Sequence, residues 1–169
     1  MRYAPLLIGL ALVCTVPAIG QALKGHDAKS PVDVEADRIE VQGRADRAVF
    51  SGNVVVRQSN LTLTASRLTV AYARADGGVT IERLDASGGV SVKSPSETAR
   101  GDFAVYDLNR RIITLVGGVE LTQGNNRVQG GRMVIDLDTG RATVDGRSAP
   151  GTGNSGRVTG RFTVANTKK

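Results

Sequence analysis

A short glycine-containing motif recurs three times between residues 32 and 144, and it constrains the fold more than any other feature of the chain. The copies are Ser51–Val54, Ser87–Val90 and Val116–Val119. Each copy follows an apolar residue and precedes an alternation of apolar and polar residues. Because alternation at period two is typical of a strand with one buried face, and glycine permits tight turns, the motif predicts short strands joined by hairpin turns.

A second strand follows each motif, so the repeating unit is two strands and two turns. These second strands are Ser66–Val70, Gly101–Val105 and Gly131–Ile135, and a further copy, Asp37–Val41, opens the array. One unit cannot bury its apolar face alone, so the units must stack as a sandwich, an open barrel or a solenoid-like trough. No stretch beyond residue 22 has a helical period, and the sequence therefore predicts an all-β, antiparallel domain over residues 31–146.

The alternation assigns one row of apolar side chains to the inside of this domain. Such a row usually fills a core. Its members are mostly valine and leucine, and only 4% of the chain is aromatic, so an incompletely filled trough that holds a ligand is the alternative. The predicted inward row is Ile39, Val41, Val54, Val56, Leu61, Leu63, Leu68, Val70, Val90, Val92, Phe103, Val105, Ile113, Leu115, Val119, Leu121, Met133 and Ile135.

Residues 1–22 have the pattern of a secretory signal peptide. A positive charge at Arg2 precedes the apolar run Pro5–Ile19, and small residues near Gly20 or Ala22 offer a cleavage site. A retained membrane anchor is the alternative, but the run is short of the roughly 20 residues that a spanning helix needs. We therefore expect cleavage and export to the periplasm.

The net charge of +6 belongs to the ends of the chain rather than to the predicted domain. Arg2 carries one positive charge and residues 147–169 carry five, so residues 23–146 sum to zero. A nucleic-acid-binding domain is expected to have a basic face of its own, and this pattern argues against one. The five charges lie in a segment rich in glycine, serine and threonine, which predicts a basic, disordered tail: Arg147, Arg157, Arg161, Lys168 and Lys169.

Candidate catalytic groups are few. The sole histidine, His26, lies in a loose segment before the first repeat, and the sole cysteine, Cys14, lies in the signal segment. Zinc sites and nucleophile–histidine catalysis therefore lack their usual residues. Asp136 and Asp138 are interpreted as the solvated face of a hairpin, and Arg110 with its neighbour as a hairpin tip. No enzyme activity, metal or cofactor is expected.

Three segments carry a resemblance to a known family. Val34–Glu40, Ala48–Val54 and Leu61–Leu68 resemble the LptA/OstA-like family of periplasmic lipopolysaccharide-transport proteins. The likeness extends over about residues 31–146. It implies a twisted, antiparallel β-jellyroll (OstA-like) that is open at its ends, and an apolar interior that shields lipid acyl chains.

The resemblance also implies a function and partners. The chain would be a periplasmic lipopolysaccharide-binding chaperone and bridge component, carrying lipopolysaccharide from the inner to the outer membrane, with the inward row as its lipid-binding surface. Its partners would be lipopolysaccharide, LptC-like and LptD-like OstA-domain proteins, and further copies of itself docked head to tail. Two alternatives stay open: an LptC-like protein that keeps its membrane anchor, and a structural polymerising β module without a ligand.

Overall fold

The structure is a computed structural model that describes Leu23 and residues 26–75, 77–146 and 156–163. Within these residues the chain forms antiparallel strands and one short 3-10 helix, Gly43–Ala45, which confirms the all-β prediction. The strands are β1 Asp33–Glu35, β2 Arg38–Gln42, β3 Arg47–Gln58, β4 Leu61–Ala75, β5 Gly78–Lys93, β6 Glu97–Asp107, β7 Ile112–Gln123, β8 Asn126–Asp136, β9 Arg141–Asp145 and β10 Thr159–Arg161.

The strands form one open sheet in which sequence neighbours are paired. Strands β3 to β8 follow one another in order, each antiparallel to the next. At one end both β1 and β2 pair with β3, and at the other both β9 and β10 pair with β8. The two ends of the sheet do not pair with each other within the described residues, so each end presents strand edges.

The glycine motifs are not the hairpin turns that the sequence predicts, and they lie inside long strands instead. The register shifts at Ser51–Val54 in β3, at Ser87–Val90 in β5 and at Val116–Val119 in β7, and pairing with the same neighbouring strand resumes beyond each shift. Extra residues at such a bulge bend the strand without ending it. The hairpins turn elsewhere, for example at Ser59–Asn60 and Gly124–Asn125.

The bulges line up across the sheet and fold it along one bend line. On one side, the first layer contains β2, β9 and half of each long strand. On the other, the second layer contains β1, β10 and the remaining halves. Buried apolar side chains from both layers form a single cluster. The two layers therefore face each other as a twisted jellyroll, and the two ends of the sheet stay open.

Glycine is required at the bend line because a neighbouring carboxylate lies where its Cβ would be. A Cβ at Gly117, whose φ is +85°, would lie 2.3 Å from Oδ2 of Asp102. Gly52 has a φ of +78° and the same separation from Oδ2 of Asp37. The Asp37 amide also donates to the Gly52 carbonyl at 2.9 Å. Each aspartate thus occupies the space that the glycine leaves open on the adjoining strand.

Gly117→Ala is expected to destabilise the fold more than Gly118→Ala. Gly118 also has positive φ, +52°, but nothing lies within 4 Å of its Cβ position. Alanine at Gly118 should therefore cost about 1–2 kcal/mol for the left-handed backbone alone. Alanine at Gly117 adds the overlap with Asp102 and should cost about twice as much. Urea denaturation measures both, and equal losses would contradict steric exclusion at the bend line.

The predicted disordered tail contains a strand. Thr159–Arg161 pairs with Arg127–Gln129 of β8, and the Thr163 amide donates to Oδ1 of Asn126 at 2.8 Å. The prediction is therefore wrong for this part of residues 147–169, because backbone pairing with an exposed strand edge needs little apolar side-chain content. Residues 147–155 and 164–169, like the predicted signal peptide, lie outside the described residues. Among the described residues no helix has the length and apolar character needed to cross a membrane.

Candidate functional site: an apolar interior closed at its rim

The space between the two layers is filled by most of the predicted inward row. Leu121 is half-buried and packs against this interior. Leu84, Ala86 and Ala99 are also buried here and were not in the predicted row. The members of the row that are buried are Val54, Val56, Leu61, Leu63, Leu68, Val70, Val90, Val92, Ile113, Leu115, Val119, Met133 and Ile135.

Two residues of β6 face away from the interior, contrary to the prediction. Phe103 is 57% exposed, and Val105 is only partly buried and lies outside the interior cluster. The reason is the register shift between Arg100 and Phe103. Beyond this shift, the positions that would have pointed inward point outward instead. Beyond the bend line the inward side chains of β6 are therefore Ala104 and Tyr106.

Ile39 and Val41 also lie outside the interior. They are 56% and 64% exposed, and every residue of β2 is exposed. Strand β2 is at the edge of the first layer, where it pairs only with β3 and no described element covers its side chains. Alternation along β2 correctly indicates a strand with an apolar face, but that face has no partner within the described chain.

A small apolar cavity lies between the two layers near the N-terminal strands. Its volume is about 10 Å³, barely what one water molecule needs. A molecule larger than water could enter this cavity only if the two layers moved apart. The lining residues are Val32, Val56, Gln58, Leu61, Leu63, Leu84, Tyr106 and Ile113.

A hydrogen bond joins the two layers at the rim, which is the set of strand ends furthest from the bend line. The hydroxyl of Tyr106, in the first layer, donates to Oε1 of Gln58, the last residue of β3 in the second layer, at 3.0 Å. Both residues are 3% exposed. Burial raises the pKa of Tyr106 to about 12, so the phenol stays protonated and remains a donor at neutral pH. This bond must break if the layers separate here.

An N-terminal strap, residues 26–32, crosses the same part of the rim. The Gln58 side-chain amide donates to the carbonyls of Ala28 and Ser30, both at 3.0 Å. Nε2 of His26 lies 3.2 Å from Gln58 Oε1 and 3.4 Å from the Tyr106 hydroxyl. Burial lowers the pKa of His26, which favours the neutral ring. The interpretation of this segment as loose is therefore wrong, because Gln58 holds it in place.

A buried carboxylate lies further along the rim. Glu97, the first residue of β6, is 3% exposed, and its Oε1 accepts from Nε2 of Gln123 at 2.9 Å. Its Oε2 accepts from the backbone nitrogen of Leu23, whose side chain is 1% exposed within the interior. Burial raises the pKa of Glu97. The sequence contains no signal for this contact, since the two residues are far apart in the chain and Glu97 begins an ordinary alternating strand.

The acidic pair singled out in the sequence has a structural role. Oδ1 of Asp136 accepts from the amides of Asp138 and Thr139 at 2.9 and 3.0 Å, and these bonds lower its pKa. Asp138 pairs with Arg111 across the hairpin ends at 2.5 Å. These contacts fix hairpin geometry. Over the described part of the chain, no three His, Cys, Asp or Glu side chains are placed to hold a metal ion.

The fold and the interior define a class of protein: an open jellyroll domain, built from bent strands around an apolar interior, with unpaired strand edges at both ends. Comparison with known proteins places the chain within that class. Residues 33–141 match the profile of the family described as LptA/(LptD N-terminal domain) LPS transport protein. The chain belongs to this family, which is a family of transport proteins rather than of enzymes.

Individual relatives agree with the family. An uncharacterised protein of Rhizobium meliloti is 34% identical over 121 residues, covering 68% of this chain and 65% of that protein. The LPS-assembly protein LptD of Sodalis glossinidius is 30% identical over 133 residues, 78% of this chain but 16% of LptD. The chain thus spans less than two thirds of the length of these relatives.

A third relative matches over nearly its whole length. The lipopolysaccharide export system protein LptH of Pseudomonas aeruginosa is 24% identical over 159 residues, covering 86% of this chain and 87% of LptH. The crystal structure of LptH, described as the LptA-homologous periplasmic component of a lipopolysaccharide transport device, superposes with a TM-score of 0.69 at 20% identity. The superposition covers 82% of this chain and 99% of that chain. This likeness confirms the predicted jellyroll fold.

Proposed function

We propose that this protein is a periplasmic carrier that holds the acyl chains of lipopolysaccharide between its two layers and passes the lipid on within a bridge of similar domains. The observation that carries the proposal is the interior itself. It is a continuous apolar cluster that both layers share, in a member of a family of LPS transport proteins. Transfer between like interiors exchanges one apolar environment for another, so this chain needs no catalytic group for it.

The closed interior is the resting form in this proposal. Separating the layers exposes apolar surface, at about 25 cal/mol per Å², and breaks the Tyr106–Gln58 bond, at about 1 kcal/mol. An entering acyl chain covers the same surface again, at about 0.8 kcal/mol for each buried methylene. Opening is therefore coupled to loading, and the N-terminal strap has to lift from Gln58 as the layers part.

The ends of the sheet support docking to other domains. Strands β1 and β2 at one end, and β9 and β10 at the other, each leave an edge unpaired within the described chain. Such edges accept a strand from another chain. Ile39 and Val41 add exposed apolar surface to β2. We propose LptC-like and LptD-like OstA-domain proteins, and further copies of this chain, as the partners, docked head to tail.

A second candidate function is a structural module that polymerises without lipid. The observation that favours it is the cavity of about 10 Å³, which makes the interior resemble an ordinary filled core. A third candidate is an LptC-like protein that keeps residues 1–22 as a membrane anchor. Identifying the first residue of the protein isolated from cells distinguishes this candidate from the other two.

Photo-crosslinking in cells tests the carrier proposal. A photoreactive residue at Met133 or Leu121 should yield lipopolysaccharide adducts, and one at Arg132, the exposed neighbour of Met133, should yield none. A probe at Val41 on β2 should instead yield protein adducts with a second jellyroll domain. Equal lipid capture at Met133 and Arg132 would contradict an interior lipid site. Protein adducts at Val41 without lipid adducts at either interior position would establish the polymerising module instead.

A further inference from the structure

The contact between Glu97 and Leu23 places a backbone nitrogen directly against a buried carboxyl group. Glu97 is only 3% exposed. An ionised carboxylate that is buried this far raises the free energy of the folded state unless a cationic partner is close. Among the described residues, every recorded ion pair involves other acidic groups. Within the described residues, the Glu97 carboxylate accepts hydrogen bonds from two neutral donors, the Gln123 side-chain amide and the backbone nitrogen of Leu23.

The position of Leu23 in the sequence supplies the missing cation. Leu23 directly follows Ala22, one of the two small residues after which the signal segment can be cut. Cleavage between Ala22 and Leu23 converts the peptide nitrogen of Leu23 into an α-ammonium, by hydrolysis in which water supplies the hydroxyl of the released carboxylate. The same nitrogen atom that now donates one proton to Glu97 would then carry three protons and a positive charge.

We propose that the signal segment is removed between Ala22 and Leu23, and that Glu97 and Gln123 form the binding site for the new N-terminus. The Leu23 side chain fills part of the apolar interior while its ammonium pairs with Oε2 of Glu97 at the rim. The alternative cut after Gly20 would leave two residues before Leu23 and no charge at Glu97.

Anchoring the first residue adds a second point of attachment ahead of the N-terminal strap. This point is Leu23 at Glu97, and the strap itself is held through the two carbonyls that Gln58 contacts. The ammonium would strengthen the attachment at Glu97, because an uncleaved chain has only a neutral hydrogen bond there. Processing would thus add a charged contact to the hydrogen bonds that already hold the N-terminal segment at the rim. This inference rests on the export that we propose, but not on lipid binding.

The N-terminus of the exported protein provides the first test. The full chain is produced in a bacterium with an outer membrane, and the protein is analysed by intact mass and N-terminal peptide sequencing. We expect Leu23 as the first residue. A first residue of Gln21, or a retained Met1, would overturn the inference. Failure to crosslink lipid while the N-terminus is Leu23 would count against the carrier function alone.

The reactivity of the α-amine provides the second test. An ammonium paired with a buried carboxylate should have its pKa raised by at least about one unit, which lowers the reactive free-amine fraction about tenfold at pH 7. Acetylation of the Leu23 amine should therefore be about tenfold faster in Glu97→Gln than in the processed wild-type protein. Glu120→Gln, a control at a glutamate paired with Arg100 and Arg127, should leave the rate unchanged. Should Glu97→Gln fail to fold, wild-type protein in urea replaces it as the fast reference. Equal rates in native and reference samples would overturn the proposed site.

Discussion

Met133→Asp is expected to abolish stable folding, whereas Arg132→Asp is expected to be tolerated. Met133 is fully buried, and its register partners Leu115 and Val144 provide no group that can pair with a carboxylate. An aspartate at this position must either be buried as a charge or be protonated, and both destabilise the folded state. We expect the free energy of unfolding to fall by about 3–5 kcal/mol or more, from about 5–15 kcal/mol for a typical domain. Arg132 is exposed, so its replacement should cost within about 1 kcal/mol.

Circular dichroism during urea denaturation measures both variants against the wild type. Because Arg132 and Met133 are neighbours on β8, the comparison isolates the direction in which each side chain points. A cooperative transition at the wild-type midpoint in Met133→Asp would contradict the closed interior and would indicate a wet trough at this position.

Tyr106→Ala should cost about 3–5 kcal/mol, and Phe103→Ala should cost less than about 1 kcal/mol, although both remove an aromatic ring from β6. Tyr106 is 3% exposed and bonded to Gln58, while Phe103 is 57% exposed. Tyr106→Phe separates the two contributions of the tyrosine, since it keeps the ring and loses only the bond between the layers, about 1 kcal/mol. Thermal and urea unfolding report all three, and a larger loss for Phe103→Ala than for Tyr106→Ala would contradict the change of phase at the bend line.

The contrast between Phe103 and Tyr106 also marks the limit of prediction from the sequence. Alternation was sufficient to predict antiparallel strands and most of the buried row, including Leu115 and Met133, but it ended the strands at glycine motifs that lie inside them. Which side chains point inward beyond each bulge depends on how many residues the bulge leaves unpaired. Nothing in the sequence distinguishes Gly101 and Asp102 from two ordinary strand residues. A prediction that assigns every second residue of β6 to the interior without a change at the bulge therefore places Phe103 and Val105 on the wrong face.

The rim was less predictable for a different reason. Gln58, Tyr106 and Glu97 are polar or amphipathic residues at strand ends, where sequence patterns favour solvent exposure. Their burial is a consequence of the layers meeting at the rim and of the N-terminal strap crossing it, both of which are tertiary contacts. A histidine before the first strand carries no signal that a glutamine on β3 and a tyrosine on β6 will surround it.

The order of the strands in the sheet has a consequence for how this chain folds. Each strand from β3 to β8 pairs with the strands immediately before and after it. The mean sequence separation of paired residues is therefore small for an all-β protein, and the loop-closure entropy of each step is low. A chain that folds from its N-terminus onward can form one hairpin after another and lengthen both layers at each step. Only β1 and β10 reach past a neighbouring strand to find their partners, so folding can propagate along the repeats without waiting for the two ends of the sequence to meet.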